Sequence, residues 1–177
     1  MKLLNVLVVA SMFAACPLTI AAAPVTPATA AAPTAAHMKA VTEMVAAMQA
    51  EKLMRSIAGA SRYANDAQRD DTFAKLGKVP PAQIHQRLAR MVAPLVSTET
   101  ATEMTRYYAS SYGQKILKQK YNSGASFSFG PPQAPKATAA ESKDMKRPAF
   151  IKANKEFSAA EEPIRRQGFQ LLQQIVK

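Results

Sequence analysis

Met38, Val41, Val45 and Met48, continued a turn further on by Leu53, Met54 and Ile57, recur at the three-to-four-residue spacing of an α-helix. The charged residues Lys39, Glu43, Glu51, Lys52 and Arg55 fall largely outside that stripe, so the spacing predicts one helix from His37 to about Ala58, ended by Gly59. The period returns in Ile84, Leu88, Met91, Val92 and Leu95, with Arg87 and Arg90 outside it and Pro80-Pro81 at its head, where the first turn tolerates proline. Near the C-terminus a helical segment around Phe150, Ile151 and Phe157 precedes a break near Ser158 to Pro163. A final helix then carries Ile164, Phe169, Leu171, Leu172, Ile175 and Val176. A chain patterned this way is expected to be all-α, a small bundle of about four to six helices.

Proline marks the limits of that bundle. From Ala21 to Ala36, nine residues are Ala, three Pro and three Thr, with no apolar face to bury, and residues 23–36 therefore read as a disordered spacer. Residues 123–144 hold Gly124, Gly130, Pro131, Pro132 and Pro135 and again lack a period, which predicts a flexible loop. These segments leave a helical domain over 37–122 and a C-terminal helical arm over 145–177. Ahead of the spacer, residues 1–22 have the succession of a secretory signal peptide: Lys2, an apolar run from Leu3 to Ala15 broken by Asn5 and Ser11, then small residues up to Ala23. The run is too short to span a bilayer, so no transmembrane helix is expected in the mature chain, which is expected to be periplasmic or secreted. The alternative is that Phe13-Ala14-Ala15-Cys16 is a lipoprotein box, with Cys16 acylated at the new N-terminus.

One cysteine and two histidines argue against a disulfide framework and a protein-only zinc site, and the sequence predicts no metal and no cofactor. The methionines from Met38 to Met91 read as gap-filling core residues. Adjacent carboxylates at Asp70 and Asp71 point different ways from one backbone and belong to a solvated turn or helix start. His85 stands beside an apolar stripe without a nucleophile or an orienting group in its neighbourhood, which predicts an exposed or capping histidine.

The stretch from Ser97 to Lys118 is the most informative. Ser97 or Thr100 suits a helix start, and Thr100 with Glu103 fits a capping box. Ala101, Met104 and Tyr107 or Tyr108 then share a face. Ser110 is placed to end this helix and cap the next, and Gly113 permits close backbone approach in the first turn of that second helix. A nucleophile elbow would need a glycine two residues before the serine, and Tyr-Ala-Ser-Ser-Tyr-Gly has none there.

At these residues the chain resembles a bacterial secreted family catalogued as domain of unknown function 2059, whose hallmark is a helix ending Phe-Tyr, one residue, Ser-Pro-x-Gly and a basic helix. Tyr107-Tyr108 stands at the aromatic pair, Ser110 at the serine, and Gly113-Gln114-Lys115 at the glycine and the start of the basic helix. Ser111 replaces the usual proline, which loosens the start of the second helix, and Thr100 replaces an acidic residue that would complete a Ser97 capping box. The resemblance covers about His37 to Asn122, with its diagnostic part confined to Ser97 to Lys118. It implies an exported, all-helical domain and carries over no catalytic residue.

Two sets of candidate binding residues remain. Tyr107, Tyr108 and Tyr112 each offer an apolar ring with a polar tip and are candidates to line a ligand groove. Lys152, Lys155, Arg165 and Arg166 make the C-terminal arm basic. The formal charge is +11, and it is polarised: +8 from Met104 to the end against +2 from His37 to Glu103. Export removes the usual nucleic-acid partner, and no nucleic-acid motif is present. The sequence therefore favours an exported, non-catalytic helical envelope module that binds a protein partner or an anionic envelope surface, the alternative being an envelope hydrolase acting on cell wall or lipid.

Overall fold

The structure, a computed structural model, describes residues 32–122 and 135–177. The signal peptide expected over 1–22, Cys16, the spacer as far as residue 31 and residues 123–134 of the loop lie outside the described residues. Among those described, helix is the regular structure throughout and no strand occurs.

Thr34 starts helix α1, Ala35–Ala47, by accepting a hydrogen bond from the His37 N–H, and the helix buries Ala40, Val41, Met44 and Val45. The single helix predicted from His37 to Ala58 is in fact two. Gln49 adopts the left-handed conformation at φ 56°, and α2, Ala50–Ala60, sets off in a new direction. The turn lets α1 pack on the middle of the bundle while Met54, Ile57 and Ala58 of α2 turn toward the C-terminal helix. Asn65 caps α3, Asp66–Lys78, which buries only Thr72 and Leu76; so narrow a strip explains why the sequence shows little period there. Pro81 opens α4, Pro81–Val92, with Ile84, Leu88, Ala89 and Val92 inward, and it runs into a 3-10 turn, Ala93–Leu95. Ser97 caps α5, Thr98–Ala109, α6 runs over Ser111–Asn122, and a Thr138–Glu141 capping box starts the short α7, Ala139–Asp144.

The last helix, α8, runs from Pro148 to Val176 without interruption. No break occurs near Ser158 to Pro163. Phe150, Ala153, Phe157, Ala160, Ile164, Gly168, Leu171 and Leu172 stay buried at helical spacing straight through Pro163. Proline deletes one N–H from the ladder, but the carbonyl it strands belongs to Ala159, which is exposed to water, so burial of the apolar face outweighs the lost bond. Helix α8 packs on α2, α3, α4 and α5, and α4 and α5 each touch both α1 and α8, so the segment predicted as a basic arm supplies one wall of the core.

Eight α-helices among the described residues exceed the four to six expected. The surplus comes from the division at Gln49, from α3, and from α7 inside the segment read as loop. The methionines are core: Met44 and Met54 are wholly buried and Met48 nearly so. His85 is neither exposed nor a cap, because α2 and α4 lie side by side and its Nε2 meets the Glu51 carboxylate at 2.9 Å. No helix among the described residues is long and apolar enough to cross a membrane.

Candidate functional site

Ser110 performs the double duty its place in the sequence suggests. Its extended backbone ends α5, its hydroxyl accepts the Gly113 N–H at 3.0 Å and donates to the Tyr107 carbonyl at 2.7 Å, and α6 starts immediately after it. This junction brings the Tyr112 ring to 6.2 Å from Tyr107, which also packs on Tyr108 at 5.1 Å and on Phe150 of α8 at 5.2 Å. Glu103 does not complete the predicted capping box with Thr100. It binds Arg147 instead, and that guanidinium holds its carboxyl below the usual carboxylate range.

The three tyrosines do not line one groove. Tyr107 and Tyr112 border a cavity of about 310 Å³ whose other walls include Arg106, Phe150 and Asp144 of α7. Its charges are matched internally: Arg106 and Arg147 both bind Asp144, and Ser111 and the Thr138 N–H donate to Glu141, holding that carboxyl down at about 2. The polar contacts strap α7 over an aromatic cluster and leave no charge for a ligand. Tyr108 faces the other way, with its ring 5.9 Å from Phe157, and lines a separate cavity of about 470 Å³ between α2, α6 and α8. Burial first, then the Glu161 carboxylate, pushes its hydroxyl far above the ordinary range. Tyr121 on the same cavity is raised to about 12, chiefly by burial, while its hydroxyl donates to the Met48 carbonyl. Hydroxyls held neutral in this way pack and donate; they do not act as bases.

Two further polar clusters bear on the hydrolase alternative. Glu156 accepts from the Ser97 N–H and hydroxyl and from the Thr100 hydroxyl. Burial pushes its carboxyl up, but the three hydrogen bonds together with Lys152 hold it below its ordinary value. A carboxylate saturated by donors is a poor general base. The His37 Nε2 lies 2.9 Å from the Ala93 carbonyl, which can only accept, so Nδ1 takes the Thr98 hydroxyl at 2.8 Å. That pair ties the start of α1 to the start of α5. No three His, Cys, Asp or Glu side chains converge on a point among the described residues.

The basic candidates divide as well. Lys152 is committed to Glu99 at 2.7 Å, and Arg165 leans on Glu162 at 2.7 Å. Lys155 and Arg166 have no ion-pair partner among the described residues. Arg165 and Arg166 line a third, open cavity of about 560 Å³ between α2 and α8, together with Arg62, Ile57, Ala60 and Phe169. Two residues on α8 expected in its apolar stripe are in fact outside: Ile151 is 57% exposed and Phe169 46%. They are eighteen residues apart, about five full turns, so they share the outer face with Lys155, Arg165 and Arg166 and with Glu162, which pairs with Arg165. The 100° step per residue sets Phe169 opposite Leu171 and Ile164, and this signal was present in the sequence. Arg62 joins the site through packing alone.

No family model, curated protein or solved structure matches this chain.

Proposed function

We propose that this is an exported, non-catalytic helical module of the cell envelope, akin to the secreted family it resembles, and that it holds an anionic envelope surface through the outer face of α8. The observation that carries this reading is that one exposed face combines Ile151 and Phe169 with Lys155, Arg165 and Arg166, two of these cations having no carboxylate partner among the described residues. Apolar side chains that enter the headgroup boundary, flanked by cations, are the two elements of interfacial adsorption, and each Lys or Arg near an anionic leaflet contributes about 1 kcal/mol. The signal-like residues 1–22 and the Ala/Pro/Thr-rich spacer support delivery to such a surface and separation from whatever precedes the domain. The hydrolase alternative draws less support, since Glu156 is saturated and His37 serves as a tie.

Co-sedimentation with vesicles tests the reading. The mature chain should bind phosphatidylglycerol-rich vesicles, ignore pure phosphatidylcholine, and release at about 0.5 M salt, where screening lengths shrink to a few Å. The Lys155→Glu, Arg166→Glu double variant should lose most of the binding. Equal binding to neutral vesicles, or salt-resistant capture of a single envelope protein with no vesicle binding, overturns it.

A further inference from the structure

Gly168 sets how closely α8 approaches α2. A Cβ there would lie 2.6 Å from the Ile57 Cδ1, so the glycine lets Ile57 settle against the helix backbone. Beside this crossing lies the open cavity of about 560 Å³. Ile57, Ala60 and Arg165 also line the neighbouring cavity of about 470 Å³, which continues to Leu53, Leu117 and Phe157. The two share Ile57, Ala60 and Arg165 and make one trough, with Phe169 in its outer part and Phe157 in its inner, more polar part.

Its two ends differ in charge. Glu161 and Glu162 border the inner cavity and are matched there by Lys120 at 2.9 Å and Arg165 at 2.7 Å, whereas among the described residues no carboxylate lines the outer one, where Arg62, Arg165 and Arg166 gather. Arg165 is partly neutralised by Glu162, but Arg62 and Arg166 have no ion-pair partner among the described residues. Guanidinium groups grouped in this way repel one another, and an anion between them relieves that repulsion while matching their forked donor geometry. Phe169, nearly half exposed beside them, presents apolar area that water covers poorly.

We infer that the α2–α8 trough binds one molecule of a single-chain anionic amphiphile, its head on Arg62 and Arg166 and its chain along Ile57, Ala60 and Phe169. Charge complementarity with the arginines and the apolar Ile57, Ala60 and Phe169 beside them select this occupant over a free anion, which would leave those side chains wet, and over an uncharged alkyl chain, which would leave the arginines unmatched. The inference builds on the outer-face reading, since Arg166 and Phe169 serve both, but it asks for a single stoichiometric site in place of adsorption.

Octyl and decyl phosphate, each below its critical micelle concentration, are the probes, titrated into the mature chain in a calorimeter. Decyl phosphate should bind one per chain and about tenfold tighter than octyl phosphate, the gain expected from two more buried methylenes. Inorganic phosphate and decyl glucoside should bind at least tenfold more weakly than decyl phosphate. Ala60→Phe places a ring in the trough from an exposed position near the end of α2. It should weaken decyl phosphate at least tenfold while leaving adsorption to phosphatidylglycerol vesicles unchanged, and Ala60→Leu provides a second, smaller variant with the same two expectations should Ala60→Phe alter the helical melt. Arg62→Gln with Arg166→Gln should abolish the preference for decyl phosphate over decyl glucoside. Many probe molecules per chain, no gain from octyl to decyl, or no effect of either trough variant overturns the inference. One-to-one binding of decyl phosphate without vesicle adsorption would retain it and overturn the surface reading; vesicle adsorption without decyl phosphate binding would do the reverse.

Discussion

The backbone of Gly113 lies so close to that of Tyr107 that a Cβ on the glycine would overlap the Tyr107 carbonyl oxygen and sit 2.8 Å from the Tyr108 Cα. Both obstacles are backbone, so neither can swing away as a flexible side chain would. The α5–α6 junction, and with it the Tyr107–Tyr112 contact, depends on the missing side chain. Gly113→Ala should therefore destabilise by about 3 kcal/mol, the upper end of what overpacking costs. Gly77→Ala is the control: its nearest neighbour would be the Arg55 guanidinium at 3.9 Å, and removing a helical glycine there should gain about 0.5–1 kcal/mol. Urea denaturation of the two variants checks both signs.

Ser110 makes the same junction from the other side. Because its hydroxyl accepts from Gly113 and donates to Tyr107, Ser110→Ala should lose about 1 kcal/mol and Ser110→Thr should retain both bonds. Ser110→Asp keeps the cap but sets a carboxylate against the Tyr107 carbonyl, so its melting temperature should fall between the two. A melting temperature unmoved by Ser110→Ala would remove the capping role.

Acid stability is set by carboxyls that the fold stabilises in the charged form. Glu103, bound by Arg147, and Glu156, bound by Ser97 and Thr100, both lie below the ordinary value of about 4.5. The unfolded chain takes up protons first, so these contributions are complete above that value and are lost as pH falls through the folded ones. Glu156→Gln should cost about 1 kcal/mol at pH 7, and its stability should converge with that of the wild-type chain as pH falls toward 3. Urea midpoints at pH 3, 4, 5 and 7 measure this directly, and parallel curves would show that Glu156 carries no proton linkage.

How much of the fold is legible in the sequence depends on how local each cause is. Helix α4 was legible because Pro80-Pro81 and the stripe Ile84, Leu88 and Val92 act within one segment. Gln49 was not, since a left-handed residue normally advertises itself as glycine or asparagine. Here the conformation is held from afar, by the Gln49 amide on Gln114, itself anchored to the Tyr108 carbonyl. The tyrosines show the same division. Their neighbourhood was legible, but consecutive residues on a helix point about 100° apart, and this sends Tyr107 toward α7 and Tyr108 toward α2. Arg62 lies about a hundred residues from Arg165 and Arg166 in the chain, and only the packing of α2 on α8 brings the three together.

Pro163 gives the sharpest test of the C-terminal helix. Had the chain broken there, proline would be tolerated as a helix start and its replacement would change little. In the uninterrupted α8 it sits mid-helix, and Pro163→Ala restores an N–H to the Ala159 carbonyl without touching the buried positions on either side. The variant should be more stable by about 2 kcal/mol, somewhat less than the full propensity difference because the carbonyl left without a partner belongs to Ala159, an exposed residue. Leu171→Ala, at a residue with no exposure, should cost about 3 kcal/mol through the cavity it leaves. Both changes should shift one cooperative transition, since the two halves of α8 share a single core. A separate melting phase for the segment after Pro163, or a neutral Pro163→Ala, would show that the helix is divided after all.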